Sequence, residues 1–352
     1  MQIILVLFGG VSPEHAVSLV SAEAVLRNLN KENRRILPVG ITREGKWMLF
    51  GGDDFAEIAA DKWEKNPANR TAFLSPERGA GLCIMQGGSL ETVPVDVVFP
   101  VLHGENGEDG SVQGLFQLAG IPFVGCGVCA SAASMDKSVT KLIAATTGVR
   151  QAKWLTLRRS AFTKDAASMC RKIAETLGFP VFIKPCSTGS SVGVSKVKTA
   201  DALQAALETA FRYDKKILAE EFINGIEVEV AVLGNDDPKA ATAGEIDAGA
   251  EFYDYETKYV TSTSTPYIPA RIDAETMTAI RGWAVKIFTA LGCAGLSRVD
   301  FFVTRDTNEI VFNEINTLPG FTPISMYPKM WAADGLPFPA LIDRLIAFAL
   351  EG

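Results

Sequence analysis

Apolar positions along the chain alternate between short unbroken runs and stretches of helical period. Residues 3–8 form one such run and end at Gly9-Gly10, the pattern of a strand covered on both faces. A helix is predicted over 13–29, with Ser12 at the cap, Pro13 in the first turn, Glu14 next, and Val17, Val20, Ala24 and Leu29 on the buried side. Further strands at 36–41 and 95–102 predict an open, mainly parallel sheet covered by helices. Residues 45–93, rich in Gly, Asp, Asn and Pro, read as an irregular insertion. The uncharged stretch 110–135 is interrupted by Gln113, Gln117, Pro122 and several glycines, so it does not have the pattern of a membrane span.

A second unit follows: helix 138–147, strand 154–157, helix 164–177, strand 180–184, a Gly/Ser loop 185–191, strand 192–197, helix 200–211 and strand 217–222. The third unit opens with strands 227–233 and 241–246 and a polar loop 249–267. Helix 274–291, a hairpin and helix 337–350 complete it. The expected division is 1–134, 135–222 and 223–352, an α/β (α+β) chain with no internal repeat or long flexible linker. Clefts between packed units are the expected places for a site.

The chain has 352 residues, 47% apolar and 21% charged, which excludes a disordered or fibrous protein. Its formal charge of −7 argues against a nucleic-acid-binding surface but permits a local basic pocket. The apolar start lacks a basic flank and is not a signal peptide. Six dispersed cysteines do not make a disulfide framework. Cys126-x-x-Cys129 stands alone, so structural thiols in a reducing cytoplasm are expected.

Two nucleotide-binding patterns fail on inspection. Gly40-x4-Gly45-Lys46 puts Trp47 where a P-loop needs Ser or Thr, and no helix pattern follows. Gly125-x-Gly127-x-x-Ala130 matches a dinucleotide fingerprint in form but lacks the acid expected about 20 residues later. A nicotinamide oxidoreductase would rest on that fingerprint alone, and a non-catalytic binding module on the lobed layout alone.

The segment 296–316 carries more. Two strands flank a polar turn at 304–308, and pairing symmetrical about Thr307 sets Asp300 opposite Glu314 and Arg298 opposite Asn316. Period-two alternation then puts all four side chains on one face. Facing carboxylates are unfavourable without a cation between them, and Asp, Glu and Asn are hard oxygen ligands suited to magnesium. Solvent exposure, or neutralisation by Arg298 alone, would serve as well.

Lys184 precedes the small-residue loop Pro185 to Gly193, whose amides can approach an anion, and Lys137 is a second candidate cation. His103 ends a strand at the carboxyl edge where open α/β sheets place ligands, with Glu108, Asp109 and Gly110 following. A loop-fixing role for His103 is equally consistent with its position.

Taken together, these segments resemble the D-alanine:D-alanine ligases of the ATP-grasp superfamily over essentially the whole chain. The resemblance rests on Gly9 to His15 with Val17-Ser18, His103 to Gly110, Met135-Asp136-Lys137, Lys184 to Gly193 and Phe252 to Tyr259, with Arg298-Val299-Asp300 and Asn313 to Gly320. It departs from the family at Cys186-Ser187-Thr188 and at Glu221, a place often held by lysine.

The resemblance implies an ATP-grasp fold preceded by a Rossmann-like open α/β domain, with ATP gripped between the second and third units. It implies ligation of two D-alanines through an acyl phosphate, for peptidoglycan precursor and hence cell shape. Lys137, Lys184 and Lys258 would meet ATP phosphates. Glu220, Phe222 and Ile223 would form the adenine hinge, and Glu227 would bind ribose. Asp300, Glu314 and Asn316 would hold two magnesium ions, with manganese able to substitute.

Glu14 would pair with the first substrate's ammonium, with His103 nearby and Ser190 and Tyr259 hydrogen-bonded to Glu14. Arg298 and the Gly320 amide would stabilise the developing oxyanion. The second substrate would sit near Ser325 and Met326. The loop 249–267 would close as a lid over an intermediate that water destroys.

A cytoplasmic homodimer without nucleic-acid or membrane partners is implied. D-serine or D-lactate in the second place is the alternative, but Lys258-Tyr259 and Met326 favour D-alanine. Glu314→Gln and Arg298→Ala are each expected to stop turnover and spare the fold.

Overall fold

The computed structural model describes residues 1–247 and 265–351. Three sheets organise them. The first joins Gln2–Gly9 (β1), Arg34–Ile41 (β2), Trp47–Leu49 (β3), Arg70–Leu74 (β4), Leu82–Gln86 (β5), Ser89–Val93 (β6) and Val97–Val101 (β7) in the order β6-β5-β4-β3-β2-β1-β7. β1 pairs in parallel with β2 and with β7. Residues 4–8 are fully buried, and a parallel strand covered on both faces leaves no polar side to interrupt the apolar run.

The expectation of an irregular 45–93 is corrected, and with it that of a mainly parallel sheet. β3 to β6 extend the sheet as an antiparallel meander. Its strands are only three to five residues long, too short for a clear period, and Phe73, Met85 and Leu90 lie exposed on them. Gly87-Gly88, both at positive φ, make the two-residue turn between β5 and β6, where a left-handed backbone is required.

The first helix, His15–Asn28, begins later than expected. Glu14 holds the cap position, and Ser12 Oγ instead accepts the Glu14 amide at 3.1 Å. Val17, Val20 and Ala24 are only half-buried; the buried face carries His15, Ser18, Leu19, Ser21, Ala22, Val25 and Leu26. Ser18 and Ser21 go inward because they find partners: Ser18 Oγ accepts from Gly9 N–H and donates to the Val101 carbonyl, and Ser21 Oγ accepts from Phe321 N–H. Satisfied buried hydroxyls escape an apolar periodicity.

The second sheet, all antiparallel, has Trp154–Arg158 (β8), Val181–Pro185 (β9), Ser195–Val197 (β10) and Lys216–Glu221 (β11) in the order β10-β9-β11-β8. The expected strand 192–197 is shorter because the turn runs on through Gly193, at positive φ, with Val194 N–H bonded back to the Ser191 carbonyl.

The third sheet contains Gly225–Gly234 (β12), Lys239–Ala240 (β13), Gly244–Asp247 (β14), Thr265–Tyr267 (β15), Gly295–Thr304 (β16) and Ile310–Asn316 (β17). Its path is β15-β14-β12-β16-β17, with β13 beside β12. Two expectations are adjusted here. The strand expected over 241–246 begins only at Gly244, as β14, with β13 pairing just ahead of the expected range, and residues 265–267, placed in the polar loop, pair with β14.

The β16–β17 hairpin pairs Arg298 with Asn316 and Asp300 with Glu314. Beyond Asp300 the register shifts, so that Phe301 faces Phe312 and Asn313 is the extra residue of a bulge. Symmetry about Thr307 therefore holds for the site end of the hairpin only.

The first and third units share a continuous core. Side chains of β1, β7 and the first helix pack with Leu296, Phe321, Tyr327 and the helix Phe338–Ala349. A second core lies under the hairpin, where Phe301 and Phe312 meet edge to face at 5.9 Å, both fully buried. Phe312→Ala is expected to cost about 3–5 kcal/mol of stability through the cavity it leaves. Chemical denaturation checks this, and a loss below about 1 kcal/mol would contradict tight packing beneath the bulge.

Candidate active site

Charge on the hairpin face is matched atom by atom. Arg298 donates from Nε and Nη2 to the two oxygens of Asp300 at 2.8 and 2.7 Å, and its Nε lies 3.3 Å from Glu229 on β12. Asn316 Nδ2 donates to Asp300 Oδ2 at 2.9 Å. Asp300 is 1% exposed and Glu229 6%. Burial disfavours the Arg298 charge, yet Asp300 and Glu229 outweigh it and hold the guanidinium above its ordinary value. The expectation that Arg298→Ala spares the fold is therefore corrected: it would leave two buried carboxylates without their cation.

A cavity of about 390 Å³ opens between the second and third sheets. Lys137, Lys184, Ser190, Glu220, Phe222, Ile223, Glu227, Glu314 and Asn316 all reach its wall. Lys184 Nζ lies 2.6 Å from Glu220, whose other oxygen is 2.6 Å from Lys141 Nζ. Burial would raise the Glu220 carboxyl, but the two ammoniums prevail and pull it down to about 2. Burial likewise opposes the Lys184 charge, and Glu220 more than restores it. Lys137 Nζ donates to the Thr188 carbonyl at 2.8 Å and lies 3.6 Å from Glu314, tying the Gly/Ser loop to the hairpin.

Several residues here were not found by sequence reasoning. Lys141 follows Lys137 by one helical turn, a spacing that places both on one face of the helix Lys137–Ala145. Glu229 pairs across strands with Asp300, which only the sheet order shows. Asn313 reaches the cavity because the bulge turns it the same way as Glu314, and its side chain lies 3.4 Å from Lys184 Nζ. Lys196 stands 3.8 Å from the centre of the Phe222 ring, a cation–π contact at one end of the cavity.

A third group gathers around Glu14 where all three units meet. Ser190 Oγ donates to Glu14 Oε1. Glycine is required on both sides of that carboxylate: a Cβ at Gly104 would come within 2.3 Å of Glu14 Oε2, and one at Gly189 within 2.9 Å. His103 is buried, with Nδ1 3.0 Å from the Leu318 carbonyl and Nε2 3.4 Å from Ser21 Oγ. Those contacts fix the loop; burial depresses its pKa, so the ring is neutral.

Glu108 accepts from the amides of Gly104 at 2.7 Å and Leu318 at 3.3 Å, but burial and then the Glu14 charge push its carboxyl up to about 8. Gly320 lies against Ser325, whose Oγ a Cβ there would approach to 2.7 Å. Ser325 Oγ accepts the Thr322 amide at 3.0 Å. The Met326 side chain is in the core, 5% exposed, and not on the cavity wall. Lys258 and Tyr259, with most of the expected lid, lie outside the described residues.

The donor set fits a nucleotide carrying hard divalent ions. Carboxylates of Asp300 and Glu314 and the Asn316 amide oxygen are the ligand types magnesium or manganese takes, and two lysines adjoin them to meet phosphate oxygens. Such ions would neutralise and orient the phosphates.

The raised Glu108 carboxyl has a consequence for stability. An acid with a higher pKa folded than unfolded keeps its proton longer in the native chain, so stability falls as pH rises from about 5 through about 8. Thermal unfolding should therefore fall more steeply over this range in the wild type than in Glu108→Gln. Parallel profiles would contradict the assignment.

Comparison with known proteins agrees with this geometry. A family model described as D-ala D-ala ligase N-terminus matches residues 3–126, and one described as D-ala D-ala ligase C-terminus matches 143–347. The D-alanine--D-alanine ligase of Acetivibrio thermocellus is 48% identical, over 99% of this chain and 96% of its own. That of Caldicellulosiruptor bescii is 46% identical, over 99% and 95%. Among solved structures, the VanG D-Ala:D-Ser ligase of Enterococcus faecalis aligns with a TM-score of 0.90 at 43% identity, covering 99% of each chain. The D-alanine-D-alanine ligase of Coxiella burnetii aligns at 0.85 and 36%, covering 99% and 94%. The chain belongs to the D-alanine–D-alanine ligase family, with an ATP-grasp fold preceded by an N-terminal open α/β domain.

Proposed function

We infer that this chain joins two D-alanines into D-alanyl-D-alanine with the use of ATP. The carboxylate of the first takes the γ-phosphoryl group, and the amine of the second displaces phosphate from the acyl phosphate. The observation that carries the reading is one cavity walled by Lys137, Lys184, Glu314 and Asn316, with Glu14 one hydrogen bond behind its wall through Ser190.

Phosphoryl transfer relies on positioning and on charge set in place beforehand. Lys137 and Lys184 hold phosphate oxygens, Glu220, Phe222 and Ile223 form the adenine hinge, with the Glu220 carboxylate also keeping Lys184 charged, and Glu227 takes the ribose. Asp300, Glu314 and Asn316 hold two magnesium ions, or manganese. Glu14 receives the first ammonium beside His103. Arg298 and the Gly320 amide face the developing oxyanion, and the second substrate lies by Ser325 and the start of the helix Met326–Ala333. Lys258 and Tyr259 complete the site from the lid.

The chain divides at 134/135 and at 222/223, acts as a cytoplasmic homodimer, and supplies peptidoglycan precursor. D-serine in the second place is the other reading, favoured by the 43% identity and close superposition of the VanG ligase. One added hydroxyl is poorly rejected by a small pocket.

Purified protein with ATP, magnesium and D-alanine should release ADP and form a product of the mass of D-alanyl-D-alanine. Dipeptide formed only when D-serine is added would establish the second reading, and no ADP release with any D-amino acid would overturn both. Glu314→Gln is expected to lower kcat by at least ~100-fold with the melting temperature little changed. Arg298→Lys, which retains a cation for Asp300 and Glu229, should do the same; near-normal turnover in either variant would remove that residue from the proposed chemistry.

A further inference from the structure

We propose that His15, Asp61 and Glu64 form a second cation site, separate from the cleft, for a divalent ion of the zinc class. The imidazole is fully buried at the first turn of the helix His15–Asn28. Its Nδ1 lies 2.6 Å from the Gly10 carbonyl, which can only accept, so Nδ1 carries the hydrogen and Nε2 presents a lone pair. A carbonyl behind one ring nitrogen with the other aimed outward is the arrangement that orients histidine ligands. Nε2 is buried and has no hydrogen-bond partner among the described residues. Asp61 Oδ1, at 3.9 Å, is too distant for a hydrogen bond but close enough to share an ion.

One atom each of His15, Asp61 and Glu64 lie within 4.8 Å of one another. Bonds of ~2.0–2.1 Å in a tetrahedral site would set ligand atoms about 3.3 Å apart, so modest rotation of the two carboxylates closes the set around an ion. Arg43 Nη2 takes the other Asp61 oxygen at 3.1 Å, leaving Oδ1 toward the histidine.

The supporting backbone is braced. Trp63, fully buried, meets Phe8 edge to face at 5.0 Å and lies over Gly40, where a Cβ would come within 2.3 Å of its ring. That indole anchors the turn Trp63–Lys65, which carries Glu64. Imidazole with two carboxylates, water completing the shell, suits zinc, cobalt or manganese; magnesium prefers oxygen alone. The bound ion would tie the 61–65 turn to the helix start next to Glu14, as a positioning site and not a reacting one.

Cobalt serves as the probe, titrated into the full chain with magnesium-ADP saturating the cleft. Wild type should show a visible absorption band saturating at one ion per chain, and a zinc-dependent rise in melting temperature. Asp61→Asn combined with Glu64→Gln, both at the solvent side, should weaken cobalt binding more than ~10-fold and remove the zinc-dependent rise. His15→Gln should act alike where it folds, and Glu314→Gln should retain the band. No band in wild type, equal affinity in the double variant, or loss of the band in Glu314→Gln would each overturn the proposal. The test is independent of the ligase reading, because neither readout uses turnover.

Discussion

Desolvated charge has to be matched, and that constraint governs the interior of this molecule. The cleft gathers Glu220 and Glu314 with Lys137, Lys141 and Lys184, and the adjoining hairpin face sets Glu229 and Asp300 on Arg298, where none of them keeps full hydration. Glu220 lies between Lys141 and Lys184, Arg298 between Glu229 and Asp300, and Glu314 beside Lys137. Removing one member of such a set leaves its neighbour buried and uncompensated, which costs more than the pair contributes. Carboxylate, amide and ammonium groups therefore stand together at the cleft.

The second constraint is that three units must close on one carboxylate. Glu14 sits at the start of a helix packed on the first sheet, Gly104 comes from the loop after β7, and Gly189 and Ser190 come from the loop after β9. Glycine at 104 and 189 lets two backbones reach a side chain that any Cβ would displace. His103 and Glu108 bind the Leu318 backbone, so the carboxyl edge of the first sheet is tied to the segment after β17. This continuity, with the core shared by the first and third units, holds the Glu14 carboxylate in fixed relation to the hairpin charges.

Much of this could be read along the chain. The apolar run of β1, the parallel trio β2-β1-β7, the helix before β8 and the facing pairs Arg298–Asn316 and Asp300–Glu314 all follow from local patterns. The region 45–93 could not be read as sheet, because its strands are short and expose apolar residues. Only Gly87-Gly88 carried a hairpin signal. The buried face of the first helix was displaced because Ser18 and Ser21 point inward, and a periodicity scored on apolar residues passes over satisfied hydroxyls.

What the linear order of residues determined was which side chains share a face, since pleat and helical repeat are properties of the local backbone. Only the folded chain decided that Asn313 bulges into the cavity, that Lys141 joins Glu220, that Glu229 answers Arg298 and that Ser190 clasps Glu14. The bulge is a break in register that a strict period of two cannot foresee, and the other three contacts join segments distant in the chain, whose meeting depends on sheet order and packing that no local period encodes.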